Sequence, residues 1–403
     1  MNGMPNALEG VRVIDLSQFL AGPTCTILLA QLGAEVIKLE QPGRGEQSRP
    51  TDGGQNKNWS VTNGNKKSIT LNLKTAEGKD VLRRLIKESD VLFENFAPGA
   101  IERLGFSYEE VEKINPRCIF CSIKGYSEFS PYANFPAMDG PVQATGTLAS
   151  QTGLKGSQPV LSNAPLADDP AGRMAAMAIM AALLQREKTG KGQKLRVNMQ
   201  EVEISLSRPA FAMPELVPKR GEAMKFTGEN APRNMFRTKP RFDGDEDNYV
   251  FILVHDTPGQ KRWKAFCDAI GRPDMFEDPR FVDGAHRYAN MQELDAEILK
   301  FTTQHDKEEI MKLLCGEGIT AGAVLTIQDM IAAEDMYKSG FLQKIVHPRL
   351  GEMVVQNLPF HMSDTYVPYV PSPDLGQDNE DIYKGVLGMT DGEFEALKNN
   401  NII

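Results

Sequence analysis

The run Gly10-Val11-Arg12-Val13-Ile14-Asp15-Leu16 is followed by an apolar-spaced stretch from Ala21 to Leu32, and, after Gly33, by the run Ala34-Glu35-Val36-Ile37-Lys38-Leu39-Glu40. The β-branched residues of the first and third runs favour extended chain, whereas the middle stretch repeats its apolar residues at helical spacing. Gly33 stops that helix. Strand, helix and strand in this order make a β-α-β unit, and a crossover helix pairs its two strands in parallel. The expected fold class is therefore α/β with a parallel sheet. The turn at Ala21-Gly22-Pro23 lacks the three-glycine spacing of a dinucleotide fingerprint, which argues against a nicotinamide-binding role.

The alternation continues outward. Residues 41–59, rich in Gly, Pro, Ser and Asn and carrying Arg44, Arg49 and Lys57, read as a long surface loop of the functional or mobile kind, with Trp59 a packing residue. Strands are expected over Lys66–Leu73, Val91–Asn95 and 119–123, with helices over Thr75–Glu88 and from Pro98-Gly99 through Gly105. This order predicts a doubly wound sheet with ligand-binding turns at the carboxyl ends of its strands. A strand over Lys194–Met199 and a helix over Gln200–Phe211 come next. Pro209, Pro214, Pro218, Pro232 and Pro240 then mark 209–247 as an irregular linker, before a smaller α+β domain over 248–330. Strands at Leu342–Val346 and Glu352–Gln356 fall in the remaining segment, 331–403.

With 403 residues, 41% hydrophobic and 25% charged, the chain has the size and composition of a globular two-domain protein. It has no long apolar window and no signal-peptide pattern, so the expectation is a cytoplasmic protein without a membrane partner. A net charge of −9 offers no broad basic footprint for nucleic acid, although a local basic pocket for a phosphorylated ligand is compatible with it. The five cysteines, an odd number spread along the chain, read as reduced thiols. Cys118 and Cys121 lie three apart in an expected buried strand and so face opposite sides, which argues against a shared metal or disulfide. His255, His286, His305, His347 and His361 stand singly, without metal-ligand spacing.

Chemistry is expected at Pro165-Leu166-Ala167-Asp168-Asp169-Pro170-Ala171-Gly172, ahead of a helix over Arg173–Arg186 and the turn Thr189-Gly190-Lys191-Gly192-Gln193. Proline suits the first helical position and the aspartate before it suits the cap, which makes Asp169 the expected cap and leaves Asp168 free. Near the positive end of the helix, the Asp168 carboxylate is expected to favour its ionised form. A poised carboxylate is a candidate nucleophile or base, the plainer alternative being two acidic residues that simply open a helix.

Several separated segments resemble one family together. They are Leu8–Leu16 with Ala21-Gly22-Pro23, Leu32–Glu40 with Pro42-Gly43, Asn65-Lys66-Lys67-Ser68, Glu94-Asn95-Phe96 with Pro98-Gly99, and Thr189–Gln193. In this order they resemble the family III CoA-transferases, the group containing formyl-CoA transferase, carnitine CoA-transferase and α-methylacyl-CoA racemase, over nearly the whole chain. The resemblance implies a catalytic aspartate at Asp168, by its spacing to Gly172. It also implies CoA contacts at Lys38, Asn95, Phe96 and Arg103, with Lys66 and Lys67 near the nucleotide. Further implications are acyl-CoA and carboxylic acid substrates, no prosthetic group, and an interlocked dimer. Each chain of that dimer would have a Rossmann-like large domain built from 1–208 and a returning 331–403. The implied reaction passes through an anhydride and an aspartyl-CoA thioester.

Departures from the family pattern carry their own implications. Ala167 stands where a glycine is common, and Thr257-Pro258-Gly259-Gln260 only faintly echoes a glycine-rich loop, which keeps a non-catalytic subunit of a heteromer as an alternative. The racemase branch carries a histidine where Ala137-Met138-Asp139 stands; Met138 cannot carry a proton, which favours transfer over racemisation. Pro42–Glu46 and Gln143–Gly146 resemble transferases of aryl-substituted dicarboxylates, such as benzylsuccinate with succinyl-CoA as donor, with loop arginines available for a second carboxylate.

Overall fold

In the computed structural model, which describes residues 5–50, 53–217, 219–221, 231–255 and 258–403, six strands form one sheet. They are β1 (Arg12–Asp15), β2 (Glu35–Glu40), β3 (Lys67–Thr70), β4 (Val91–Glu94), β5 (Ile119–Lys124) and β6 (Lys194–Asn198). Their order is β3-β2-β1-β4-β5-β6 and each neighbouring pair is parallel. The chain is thus α/β, as the opening β-α-β unit requires. It builds from β1 to one edge and then returns to β1's other side, and this reversal opens a crevice beyond the carboxyl ends of β1 and β4.

Helices α1 (Ala21–Gln31), α2 (Lys57–Asn63), α3 (Ala76–Lys87), α4 (Ala100–Leu104), α5 (Tyr108–Ile114), α6 (Asp139–Thr145), α7 (Leu148–Gln151), α8 (Asp168–Thr189) and α9 (Met199–Ser205) accompany the sheet. Side chains alternate across each strand, so Val13, Val36, Val91 and Cys121 pack with α1 and α8, while Ile14, Ile37, Leu92 and Phe120 pack with α3 and the C-terminal residues Ile382, Tyr383 and Phe394. Gly172 lets α8 come close to α1, because a Cβ there would lie 2.5 Å from the Ala21 carbonyl oxygen. The C-terminal segment is tied to the sheet edge: Tyr383 Oη donates to the Thr70 carbonyl (2.6 Å) and Asn72 N to that of Ile402 (2.8 Å). It also carries an antiparallel pair, β10 (Leu342–His347) and β11 (Gly351–Gln356).

Residues Met1–Phe211 and Tyr337–Ile403 make one compact unit and Ala212–Met336 a second. The second has a three-stranded antiparallel sheet of β7 (Arg233–Arg237), β8 (Tyr249–Leu253) and β9 (Thr320–Ala323), over a core that includes Trp263, Phe266, Ile298 and Leu314.

Some expectations need correction. Residues 41–59 are not simply a surface loop: the Arg49 side chain is buried, pairs with Glu40 at 2.6 Å and lies 3.4 Å from the centre of the buried Trp59 ring. A buried cation needs a counterion, so this part of the loop is anchored to β2. Of 209–247, Pro218 and 222–230 lie outside the described residues, and Arg233–Arg237 is a strand where irregular linker was expected. The helix expected over Gln200–Phe211 is two, α9 and a short helix at Arg208–Ala212. Cys118 and Cys121 do fall in separate cores, both as free thiols. Among the described residues no helix is long and apolar enough to cross a membrane.

Candidate active site

A cavity of about 620 Å³ opens at the crevice, between the turn after β1, the ends of β4 and β5, and the start of α8. A second, of about 440 Å³, lies over the ends of β1, β2 and β3, and both are lined by Gln18, Gln47, Phe96 and Leu104. Asp168 lines the larger one only.

The start of α8 differs from the local rule. Asp169 does not cap it; its carboxylate accepts from Arg173 Nε one turn along (2.6 Å). The helix begins at Asp168, and Asp139 of α6 takes the cap's place: its Oδ1 accepts from the backbone N of Ala167 (2.8 Å) and of Asp168 (3.0 Å). Asp139 Oδ2 accepts from Gln143 Nε2 (2.5 Å), whose Oε1 in turn accepts from Ser162 N (2.9 Å). A tertiary contact has displaced the sequence-local one, and the Asp168 carboxylate has no hydrogen-bond or ion-pair partner among the described residues.

Burial, followed by the negative charges of Asp139 and Asp169, pushes the Asp168 carboxyl up from 3.8 to about 7. This reverses the expected direction, because two nearby carboxylates and lost water outweigh the positive helix end. Glu203 of α9, buried, is pushed up to about 7 by burial and then by Asp139. Neither Asp139 nor Glu203 was singled out from the sequence as part of a carboxylate group; no local pattern links them to Asp168.

The expected CoA residues separate into two sets. Asn95, Phe96 and Arg103 line the larger cavity with Asp168. Asn95 also shapes it: Oδ1 accepts from Gln18 N (2.8 Å) and Nδ2 donates to Gln18 O (2.9 Å), holding the β1–α1 turn. That turn depends on Gly22, where a Cβ would lie 2.3 Å from Ser17 Cβ. Arg103 has no ion pair among the described residues.

Lys38, Lys66 and Lys67 line neither cavity. Lys38 is buried and its Nζ donates to Ser17 O (2.7 Å). Lys66, also buried, reaches Asn63 Oδ1 (2.8 Å) and Asp15 (3.2 Å). Burial opposes charge on both members of this pair. At Asp15 the Lys38 and Lys66 cations overcome it and hold the carboxyl below its ordinary value, whereas Lys66 is lowered to about 8. Lys67, on the edge strand β3, pairs with Asp381 of the C-terminal segment (2.6 Å) and with Glu35 of β2 (3.0 Å). These three lysines fix the sheet and its turns.

Other cations stand at the cavities. Arg44 and Lys74 line the smaller one, exposed and without an ion pair among the described residues. Lys124, the last residue of β5, lines the larger but already donates to Glu94 (2.8 Å) and to the Phe96 carbonyl (2.7 Å). Position at a strand's carboxyl end was the available signal for Lys124. Of residues 257–260, Thr257 lies outside the described residues and Pro258–Gln260 is a helical turn of the second unit.

The family model for CoA-transferase family III matches residues 8–379. The chain belongs to the family III CoA-transferases. Similar curated enzymes include the formyl-CoA:oxalate CoA-transferases of Streptomyces coelicolor, 35% identical over 98% of this chain and 99% of the relative, and of Streptomyces avermitilis, 34% identical over 99% and 100%. Among solved structures, a CaiB/BaiF family protein from Brucella suis matches with a TM-score of 0.82 at 28% identity, over 95% of this chain and 100% of that one. A Mycobacterium tuberculosis protein matches with 0.79 at 29% identity, over 93% and 98%. As a family III CoA-transferase the chain is an enzyme of a family whose substrates are CoA esters and acids.

Proposed function

We propose that this chain exchanges CoA between an acyl-CoA donor and a carboxylic acid, with Asp168 as nucleophile. The observation that carries the reading is the unpartnered Asp168 carboxylate in the same cavity as Asn95, Phe96 and Arg103. The nucleotide end of CoA would take the smaller cavity, where the exposed Arg44 and Lys74 suit phosphate, and the pantetheine arm would pass Phe96 and Leu104, which both cavities share. Arg103, free of a counterion, suits the anionic middle of CoA. Lys38, Lys66 and Lys67 act at a distance, by holding the strands and turns that shape this path.

Asp168 attacks the donor's thioester carbon; the C–S bond breaks and CoA thiolate leaves, giving a mixed anhydride. The thiolate then attacks the aspartyl carbon and expels the donor acid, giving an aspartyl-CoA thioester. The incoming carboxylate attacks that thioester, and the released thiolate completes the exchange at the new acyl carbon, restoring Asp168. One negative charge is passed along throughout and no proton moves, so the chemistry asks for an ionised, poorly solvated carboxylate rather than an acid-base pair. Met138, lining the cavity beside Ala137, supplies no proton for racemisation.

Succinyl-CoA is the donor to try first, with benzylsuccinate among the acceptors. Assembly as a dimer, interlocked or with a homologous subunit, accords with the exposed apolar Met174, Met177 and Leu184 on α8. Trapping tests the nucleophile: after incubation with an acyl-CoA, hydroxylamine or borohydride should modify the peptide holding Asp168, read by mass spectrometry. Modification found only on a co-purifying chain would make this one the non-catalytic subunit.

A further inference from the structure

The turn between β1 and α1 is strained at Phe19. With a φ of 61°, Phe19 is the one aromatic with a left-handed backbone among the described residues. It lines the larger cavity together with its neighbours Gln18, Leu20 and Ala21 and with Asp168. A bulky residue keeps this conformation only where its surroundings hold it there. Three contacts hold the turn. Asn95 binds both backbone groups of Gln18, the Ala21 carbonyl packs against Gly172 one turn into α8, and Glu46 Oε2 accepts from Phe19 N (3.2 Å).

Of the three, Glu46 is the one that acts on the strained residue itself. Its side chain is buried, and the carboxylate also accepts from Ser48 N (3.1 Å) and from Ser48 Oγ, which fixes its direction. Its own backbone N donates to Glu40 Oε2 (3.1 Å), on the same carboxylate that pairs with Arg49. Glu46 is therefore built into the anchored part of 41–59, and with Arg44, Gly45 and Gln47 it lines the smaller cavity. Phe19 lines the larger cavity and not the smaller, so one hydrogen bond joins a residue from each wall.

Resting on the CoA-transfer reading, we propose that Glu46 is a positioning residue for that reaction. By accepting the Phe19 N–H it holds the β1–α1 turn in the shape that forms the wall of the Asp168 cavity, and it ties that wall to the segment lining the smaller cavity. Without the acceptor Phe19 relaxes to negative φ, its ring shifts, and the substrate loses its alignment with Asp168. The loss falls on kcat more than on the KM for the CoA ester, because misaligned reacting atoms slow the chemistry even where the CoA handle still binds.

The test compares Glu46→Gln with Glu46→Met in the purified full chain. The two replacements are similar in length and both remove the charge, but only glutamine keeps an oxygen that can accept from Phe19 N. Succinyl-CoA is the donor, and the acceptor is whichever of acetate, isobutyrate, oxalate and benzylsuccinate the wild-type chain uses fastest, with the new CoA ester read by mass. Glu46→Gln should keep kcat within about threefold of the wild type and Glu46→Met should lose about 10-fold or more, with KM for succinyl-CoA within about threefold in both. Equal kcat in the two variants, or a loss confined to KM, overturns the inference while leaving CoA transfer by Asp168 in place. A second arm places Glu46→Met in a Phe19→Gly background, where glycine adopts positive φ unaided. There it should lower kcat by less than about twofold, and a loss as large as in the Phe19 background shows that Glu46 does not act through Phe19 and overturns the inference. Should Glu46→Met fail to fold alone, folding in the Phe19→Gly background supports the link, and failure there too overturns it. No exchange by the wild-type chain, together with no adduct on its Asp168 peptide, overturns the transfer reading and this inference with it.

Discussion

Asp168→Asn should make the protein more stable while removing its transferase activity. The fold raises this carboxyl from 3.8 to about 7, so the folded state holds the proton more tightly than the unfolded chain does. Ionising Asp168 therefore costs the fold nothing below its ordinary value, a growing amount as pH rises toward 7, and a constant amount above that. At about 1.4 kcal/mol per pKa unit the cost is capped at about 4 kcal/mol, and partial solvent contact brings it to about 2 kcal/mol. Asparagine keeps the shape and carries no charge. Denaturant unfolding at pH 4 should give equal stabilities for the two proteins, and at pH 8 the variant should lead by about 2 kcal/mol, with a thermal midpoint higher by a few degrees. Transfer by the wild-type chain should rise with pH through a midpoint near 7. A variant no more stable at pH 8 than the wild type, or one that still turns over, would refute the reasoning.

Asp139→Asn keeps an oxygen for the Ala167 and Asp168 N–H groups but removes a charge facing Asp168, so the midpoint of the pH–rate curve should move down from that of the wild type; an unchanged or higher midpoint counts against the coupling. Arg49→Ala strands the buried Glu40 carboxylate and should cost about 3–5 kcal/mol in denaturant unfolding, whereas a loss below about 1 kcal/mol would mean that the 41–59 segment folds independently of this pair. Arg103→Ala should raise KM for the CoA ester about tenfold or more, while Lys67→Ala, whose ion pairs are partly exposed, should change it less than about twofold; the reverse ranking would restore Lys67 to the CoA site.

The sheet was legible because its information is local. Alternation within runs such as Val13-Ile14 and Val36-Ile37 sends neighbours into opposite cores, and a parallel pair needs its crossover helix close by in sequence. The cap of α8 was not legible, because Asp139 lies far back in the chain and reaches the helix start only through the fold. The lysines show a different limit: residue type announces a cation but not its partner. A signal did exist for Lys38, which sits inside an apolar run of a strand covered on both faces, where a charge has to be satisfied by protein rather than by a dissolved ligand. Arg49 hid for the complementary reason, since a Gly- and Pro-rich segment looks solvated until its tryptophan and Glu40 are seen to enclose it.

On the proposed mechanism, the cluster of carboxylates has a use beyond raising a pKa. Acylation turns the Asp168 anion into a neutral anhydride or thioester, so repulsion from Asp139 and Asp169 and the cost of keeping the anion from water are relieved together. The free energy that favours the protonated form thereby also favours the acylated form: about 2 kcal/mol corresponds to about 30-fold in the equilibrium between free and acylated enzyme. Removing the charge of Asp139 should then lower both the pH midpoint and the fraction of Asp168 that can be trapped at equilibrium, because one electrostatic cause acts on both. A fall in the midpoint with no loss of trapped intermediate would separate the two effects, and would mean that the Asp139 charge acts on the proton alone.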